Sequence, residues 1–207
     1  MKKNNSDYKK KIKILEHAKN IVRIKGWSES TFKNLKNEAF KNADLVNLFP
    51  NGYKDLLEFS ILEINNLLEK KINRYNIINF PLNKRIKKIL LLRLDILNGD
   101  KLFYKKTFNH LLLPANSKLL KKCLYNSVDK MWYLAGDNST DFSFYTKRII
   151  LAFIYTSAIF TLNNYGLERA EENIDKNLQK IAKIPKIKER FSFIKDNLPI
   201  FIRSFIN

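Results

Sequence analysis

Residues 143–162 form a segment with almost no polar face. Wound as a helix, it is apolar nearly all the way round. Such a helix has to be buried, at the centre of a fold or at a subunit interface. Its most apolar part, residues 149–162, is shorter than the ~18–20 residues that cross a bilayer. Tyr145, Tyr155, Thr156 and Ser157 lighten it, which suits burial against protein better than against lipid. The rest of the chain therefore has to enclose this segment, and the breakers favour doing so with helices. Only 5 Gly and 5 Pro interrupt 207 residues, too few for the tight turns of an all-β protein.

The intervals between the breakers predict a first helix over 7–25, where Ile12, Leu15, Ala18 and Val22 recur at helical spacing and Gly26 caps the end. Ser30 or Thr31 is expected to cap a second helix bearing Phe32, Leu35 and Ala39. A third helix covers 43–49. The turn Pro50-Asn51-Gly52 follows, and a longer fourth helix carries Leu56, Phe59, Leu62 and Leu67. Residues 73–81 read as a linker. Five more helices are expected over 82–97, 101–113, 117–134, 143–162 and 167–184, with Gly or Pro beyond each end. In the last segment, Ile187, Phe191, Ile194, Leu198, Phe201 or Ile202, and Phe205 fall on one face with bases between them, an amphipathic helix that Pro199 should break or kink. The expected organisation is a helix-turn-helix head over 1–75, a helical body over 76–185 and a terminal amphipathic helix over 186–207.

The charge is 39 Lys and Arg against 20 Asp and Glu, or +19, which draws the chain to nucleic acid or an anionic membrane. Part of this is compositional, because Lys, Asn and Ile crowd the sequence as an AT-rich genome imposes. The segment that would read DNA, residues 43–49, has no Lys or Arg and contains Asp44; only Asn47 suits base reading. Lys33, Lys36 and Lys41 lie near enough in sequence to touch phosphates.

Chemistry is scarce. His17 and His110 have no partners at metal-ligand spacing, and no Cys-x-x-Cys, P-loop or Gly-x-Gly-x-x-Gly occurs. The single Cys123, in an apolar stretch, is a small core residue with no internal disulfide partner. The sequence predicts no catalysis by this chain alone, no cofactor and no metal. It shows no signal peptide and no transmembrane run, so the expected location is cytoplasmic, either soluble or peripheral to the inner membrane.

Two blocks carry a resemblance. The first is Gly26-Trp27-Ser28, Ala39, Leu48-Phe49-Pro50-Asn51-Gly52 and Asp55-Leu56. The second is Trp132, Ala135-Gly136-Asp137, Ser139-Thr140-Asp141-Phe142 and Phe144-Tyr145-Thr146-Lys147-Arg148. Between them, Arg85-Ile86-Lys87, Leu90-Leu91-Leu92-Arg93-Leu94 and Leu113-Pro114-Ala115-Asn116 fall in the same order. From about residue 12 to about 184 the chain resembles the ubiquinone-biosynthesis accessory family with a TetR-like fold.

The resemblance implies an all-α, TetR-like homodimer. Its degenerate helix-turn-helix no longer reads DNA, and its body encloses an apolar cavity for isoprenoid quinone or other lipid. Expected wall residues are Phe108, Leu112, Leu120, Leu124, Trp132, Phe153 and Phe160. It implies a face around Thr140, Asp141, Phe142, Phe144, Tyr145 and Arg148 that engages the di-iron demethoxyubiquinone hydroxylase; Phe144 stands where the family commonly has Trp. It implies membrane docking by the terminal helix, with Phe191, Ile194, Leu198, Phe201, Ile202 and Phe205 inserting and Lys195 and Arg203 meeting headgroups. The alternative is a TetR-type DNA-binding regulator with an apolar effector.

Overall fold

The computed structural model describes residues 2–38, 40–137 and 142–182, and these fold into nine α-helices with no strand among them. The first four are α1 (Lys2–Lys25), α2 (Glu29–Glu38), α3 (Asn42–Leu48) and α4 (Tyr53–Ile72). Then come α5 (Leu82–Gly99), α6 (Lys101–Leu111), α7 (Ser117–Leu134), α8 (Phe142–Tyr165) and α9 (Leu167–Ala182). Short 3-10 turns occupy Ile77–Asn79 and Pro114–Asn116.

Gly26 ends α1 with φ +76°, a backbone conformation that costs other residues their Cβ clearance, and its N–H reaches the Val22 carbonyl at 2.9 Å. The cap of α2 is Ser28, whose Oγ accepts the Thr31 N–H at 3.3 Å. Ser30 and Thr31 do not take that role. Thr31 instead buries its hydroxyl and donates it to the Gly26 carbonyl at 2.7 Å, which locks the α1–α2 corner. Asp55 accepts the Asn51 N–H at 2.8 Å and so fixes the turn leading into α4.

α7 has the bounds that its sequence period predicts. α6 stops at Leu111 rather than running to 113, because Pro114 opens a 3-10 turn in which Asn116 donates to the His110 carbonyl at 2.8 Å. The 73–81 linker is ordered: Ile77 is buried, and Arg85 donates to the carbonyls of Phe80 (2.7 Å), Ile78 (2.6 Å) and Ala135 (3.0 Å). Residues 186–207, where the sequence predicts a helix, lie outside the described residues.

α8 packs along α9, α4 against α5 and α7, and α1 against α2 and α6. One buried cluster runs from Ile14, Leu15 and Ala18 of α1 through α4 and α5 to Ala170 and Ile174 of α9. Trp27 fastens the α1–α2 corner to α6: the indole is buried, lies 5.8 Å from the Phe103 ring and donates to Thr107 Oγ1 at 2.9 Å.

Candidate functional site

The helices α4 to α8 enclose a cavity of about 50 Å³. Helical periodicity puts its walls there: Ile61 and Ile64 on α4, Leu97 on α5, Thr107, Phe108 and Leu111 on α6, and Leu120, Leu124 and Ser127 on α7. Tyr155, Ile159 and Leu162 of α8 close the far side. The walls are apolar except where hydroxyls gather.

Those hydroxyls are organised by an arginine on α5. Ile86, Ile89, Leu90 and Leu97 form the buried stripe of α5, and Arg93 falls on the same stripe, fully buried. Its Nε donates to Tyr155 Oη, its Nη1 to Asn65 Oδ1 and its Nη2 to Ser127 Oγ, each at 2.7 Å. The guanidinium also lies 5.0 Å from the Tyr155 ring centroid. None of these partners is a carboxylate, so a buried positive charge is held by neutral acceptors alone. Tyr155 and Ser127 both line the cavity, and an oxygen that accepts from arginine keeps its own proton to donate. The cavity therefore has an apolar body and an end able to bind an oxygen acceptor. The signal in the sequence was an arginine inside the apolar run Leu90–Leu94.

Cys123 lines the same cavity, and burial, reinforced by the negative charge of Glu58, pushes its thiol up to about 12. Burial also raises the Tyr104 hydroxyl, with Asp100 adding to it. On the outer turn of α6, burial and then the positive charge of Lys54 lower the pKa of His110, whose Nε2 is buried without a hydrogen-bond partner and whose ring stands 5.5 Å from Tyr53. Protonation is thus harder in the folded chain than in the unfolded one. The stability this neutral imidazole supplies is complete above the ordinary value near 6.5 and declines as pH falls through it toward the lowered value. The urea midpoint of His110→Gln should accordingly fall less than that of the unmodified protein between about pH 7 and pH 5; parallel curves would remove His110 as the cause.

Of the expected wall residues, Phe108, Leu120 and Leu124 line the cavity. Trp132 lines a separate cleft between α5, α7, α8 and α9. Leu112 (52% exposed), Phe153 (60%) and Phe160 (60%) face outward and do not reach the cavity. Leu112 is displaced by the early end of α6. Phe153 and Phe160 sit seven residues apart on the outer stripe of α8, which a uniformly apolar sequence does not distinguish from the inner one.

At the expected partner face, Tyr145 is 64% exposed and its ring packs edge-on 5.2 Å from Phe144. Arg148 is buried. Its Nε and Nη2 donate to Asp129 Oδ1 at 2.8 and 2.6 Å, and its guanidinium lies 3.2 Å from the Phe144 ring centroid, so the phenyl ring supplies a cation–π face. Lys147 donates to the nearly buried Asp137 carboxylate at 2.7 Å. Thr140, Asp141 and the side chain of Phe142 lie outside the described residues, as do Phe191, Ile194, Lys195, Leu198, Phe201, Ile202, Arg203 and Phe205. Among the described residues no group of three or more His, Cys, Asp or Glu could hold a metal ion, and no helix is long and apolar enough to cross a membrane.

The COQ9 family profile matches residues 118–185, the stretch that builds α7, α8 and α9. Over these helices the chain is similar to the COQ9 family. It is 25% identical over 206 residues to the "Probable ubiquinone biosynthesis protein coq9, mitochondrial" of Dictyostelium discoideum, covering 95% of this chain and 66% of that one. It is 28% identical over 155 residues to COQ9-A of Xenopus laevis, covering 70% of this chain and 48% of the other. Over 54 residues, 26% of this chain and 17% of the other, it is 44% identical to COQ9 of Bos taurus. The chain thus spans just under two thirds of the Dictyostelium protein and half or less of the other two.

Proposed function

We propose that this protein is a non-catalytic lipid-binding accessory protein of ubiquinone biosynthesis, with a TetR-like arrangement of its helices. It binds an isoprenoid quinone or similar apolar lipid, associates with the membrane surface as a homodimer and assists the di-iron demethoxyubiquinone hydroxylase. The observation that carries this reading is the apolar cavity ending at hydroxyls held by Arg93. An amphiphile with an oxygenated ring and a hydrocarbon tail matches both parts. At about 50 Å³ the cavity is far below the ~300 Å³ of ordinary ligand pockets, so a polyisoprenoid tail enters only as the helices around it spread.

The outer stripe of α8 supports the dimer. Phe153 and Phe160 are large apolar side chains on an exposed face, and a second copy would cover them. The outward residues of α3, Asn42, Ala43, Val46 and Asn47, include no base, which supports this reading over a DNA-binding regulator.

Native mass spectrometry with lipid extraction tests both halves at once. The expected result is a dimer retaining about one apolar lipid per chain, and Leu124→Trp, which fills the cavity from α7, should strip the lipid while leaving a dimer. A folded protein that holds no lipid, and whose melting temperature an added short-chain ubiquinone does not raise, would overturn the lipid half. A monomer would overturn the dimer.

A further inference from the structure

We propose that the turn joining α4 to α5 is a docking surface for an anionic lipid bilayer. Tyr75, Ile78, Phe80 and Leu82 are exposed there, Ile78 to 74%, around the buried anchor Ile77. Their exposure is imposed by the scaffold. Arg85 grips the carbonyls of Ile78 and Phe80 and ties both to the end of α7 through Ala135, while the Phe80 N–H reaches the Ile77 carbonyl at 3.0 Å. Ile78 and Phe80 are thereby held on a fixed platform, and the exposure of all four side chains carries a cost in water that a covering partner would relieve.

The charge of the same segment identifies the partner. Between Glu69 and Asp95 the sequence contains no acid, but it contains Lys70, Lys71, Arg74, Lys84, Arg85, Lys87 and Lys88 at the surface end. Lys71 pairs with Asp95, Lys87 with Asp175, and Lys88 lies 4.4 Å over the Tyr75 ring. Among the described residues Lys70, Arg74 and Lys84 form no ion pair, and Arg74 and Lys84 bracket the apolar tips in sequence. Long basic side chains beside inserted apolar ones fit a bilayer interface, where the tips enter the acyl boundary and the bases meet phosphates. The surface also borders a cleft of about 400 Å³ lined by Leu82, Ile86, Trp132, Ile154, Leu178 and Ile181. A bilayer seated on the turn would face that cleft, whose far wall is the last turn of α9.

The inference rests on the membrane association proposed above but assigns it to a surface separate from residues 186–207. Co-sedimentation of the full chain with vesicles of equal parts phosphatidylglycerol and phosphatidylcholine tests it. The unmodified protein should bind these and not pure phosphatidylcholine. Ile78→Ser with Phe80→Ser should weaken partitioning about tenfold or more, and Lys84→Glu about fivefold or more. The melting temperature should hold, because these side chains are exposed; if the double variant melts early, Ile78→Ser alone gives the reading. Partitioning unchanged in the turn variants but lost in full-length Phe201→Ser with Phe205→Ser would overturn the inference and leave membrane association intact. An unmodified protein that ignores both vesicle types would overturn both and point to a protein partner for this face.

Discussion

Replacing Asn65 with leucine should lower the stability of the protein by about 3–5 kcal/mol, a large share of the roughly 5–15 kcal/mol that holds a domain folded. The size follows from what Asn65 faces. Arginine keeps its charge in a protein interior, so the fully buried guanidinium of Arg93 depends on its three acceptors. A hydrogen bond to a charged group is worth about 1.5–3 kcal/mol, and the stranded N–H adds the desolvation that water no longer offsets. Asn65→Asp puts a carboxylate where the amide oxygen stands, 2.7 Å from Nη1, and should match or exceed the unmodified protein because the buried cation gains a counter-charge. Urea denaturation of the two variants decides the matter. A leucine variant within about 1 kcal/mol of the unmodified protein would show that Arg93 does not depend on Asn65. An aspartate variant no better than the leucine one would show that the charge is not what Asn65 serves.

Trp27→Ala should cost a similar amount, about 3–5 kcal/mol, since it empties a buried indole site at the junction of the α1–α2 corner with α6. Trp27→Phe should cost about 1 kcal/mol. It keeps most of the ring against Phe103 and loses one hydrogen bond, and Thr107 is not stranded because its own hydroxyl donates to the Phe103 carbonyl at 2.9 Å. Both variants should unfold in one transition, because the buried cluster is continuous from α1 to α9. Two separated transitions in the alanine variant would mean that α1–α4 and α5–α9 fold as independent units, with Trp27 only fastening them together.

The helical class and most boundaries were legible because Gly and Pro stand where the helices end. Gly26 and Gly136 both adopt positive φ, and α7 between Asn116 and Ala135 has its predicted bounds. Where the local signal was ambiguous, packing decided. Ser28, Ser30 and Thr31 are all able to cap α2, and the choice fell to Ser28 once Thr31 was drawn into the core. The candidate site was legible only in part. Phe108, Leu120 and Leu124 lie on helices with a clear period, whereas α8 has no polar face to orient it, so nothing in its sequence sets Phe153 and Phe160 apart from the inner stripe. Arg93 is buried only by partners on α4, α7 and α8, and the 73–81 segment is ordered by Arg85 from α5, contacts that no local pattern announces.

Cys123 makes the cavity wall self-reporting. Only the thiolate reacts readily, and this thiol is buried with its ionisation pushed up to about 12, so it stays inert while α4 to α8 remain closed around it. Each alkylated molecule is then the trace of one excursion in which those helices parted. The pace of alkylation counts such excursions in the resting protein, and their frequency is the ceiling on how often any guest could be exchanged.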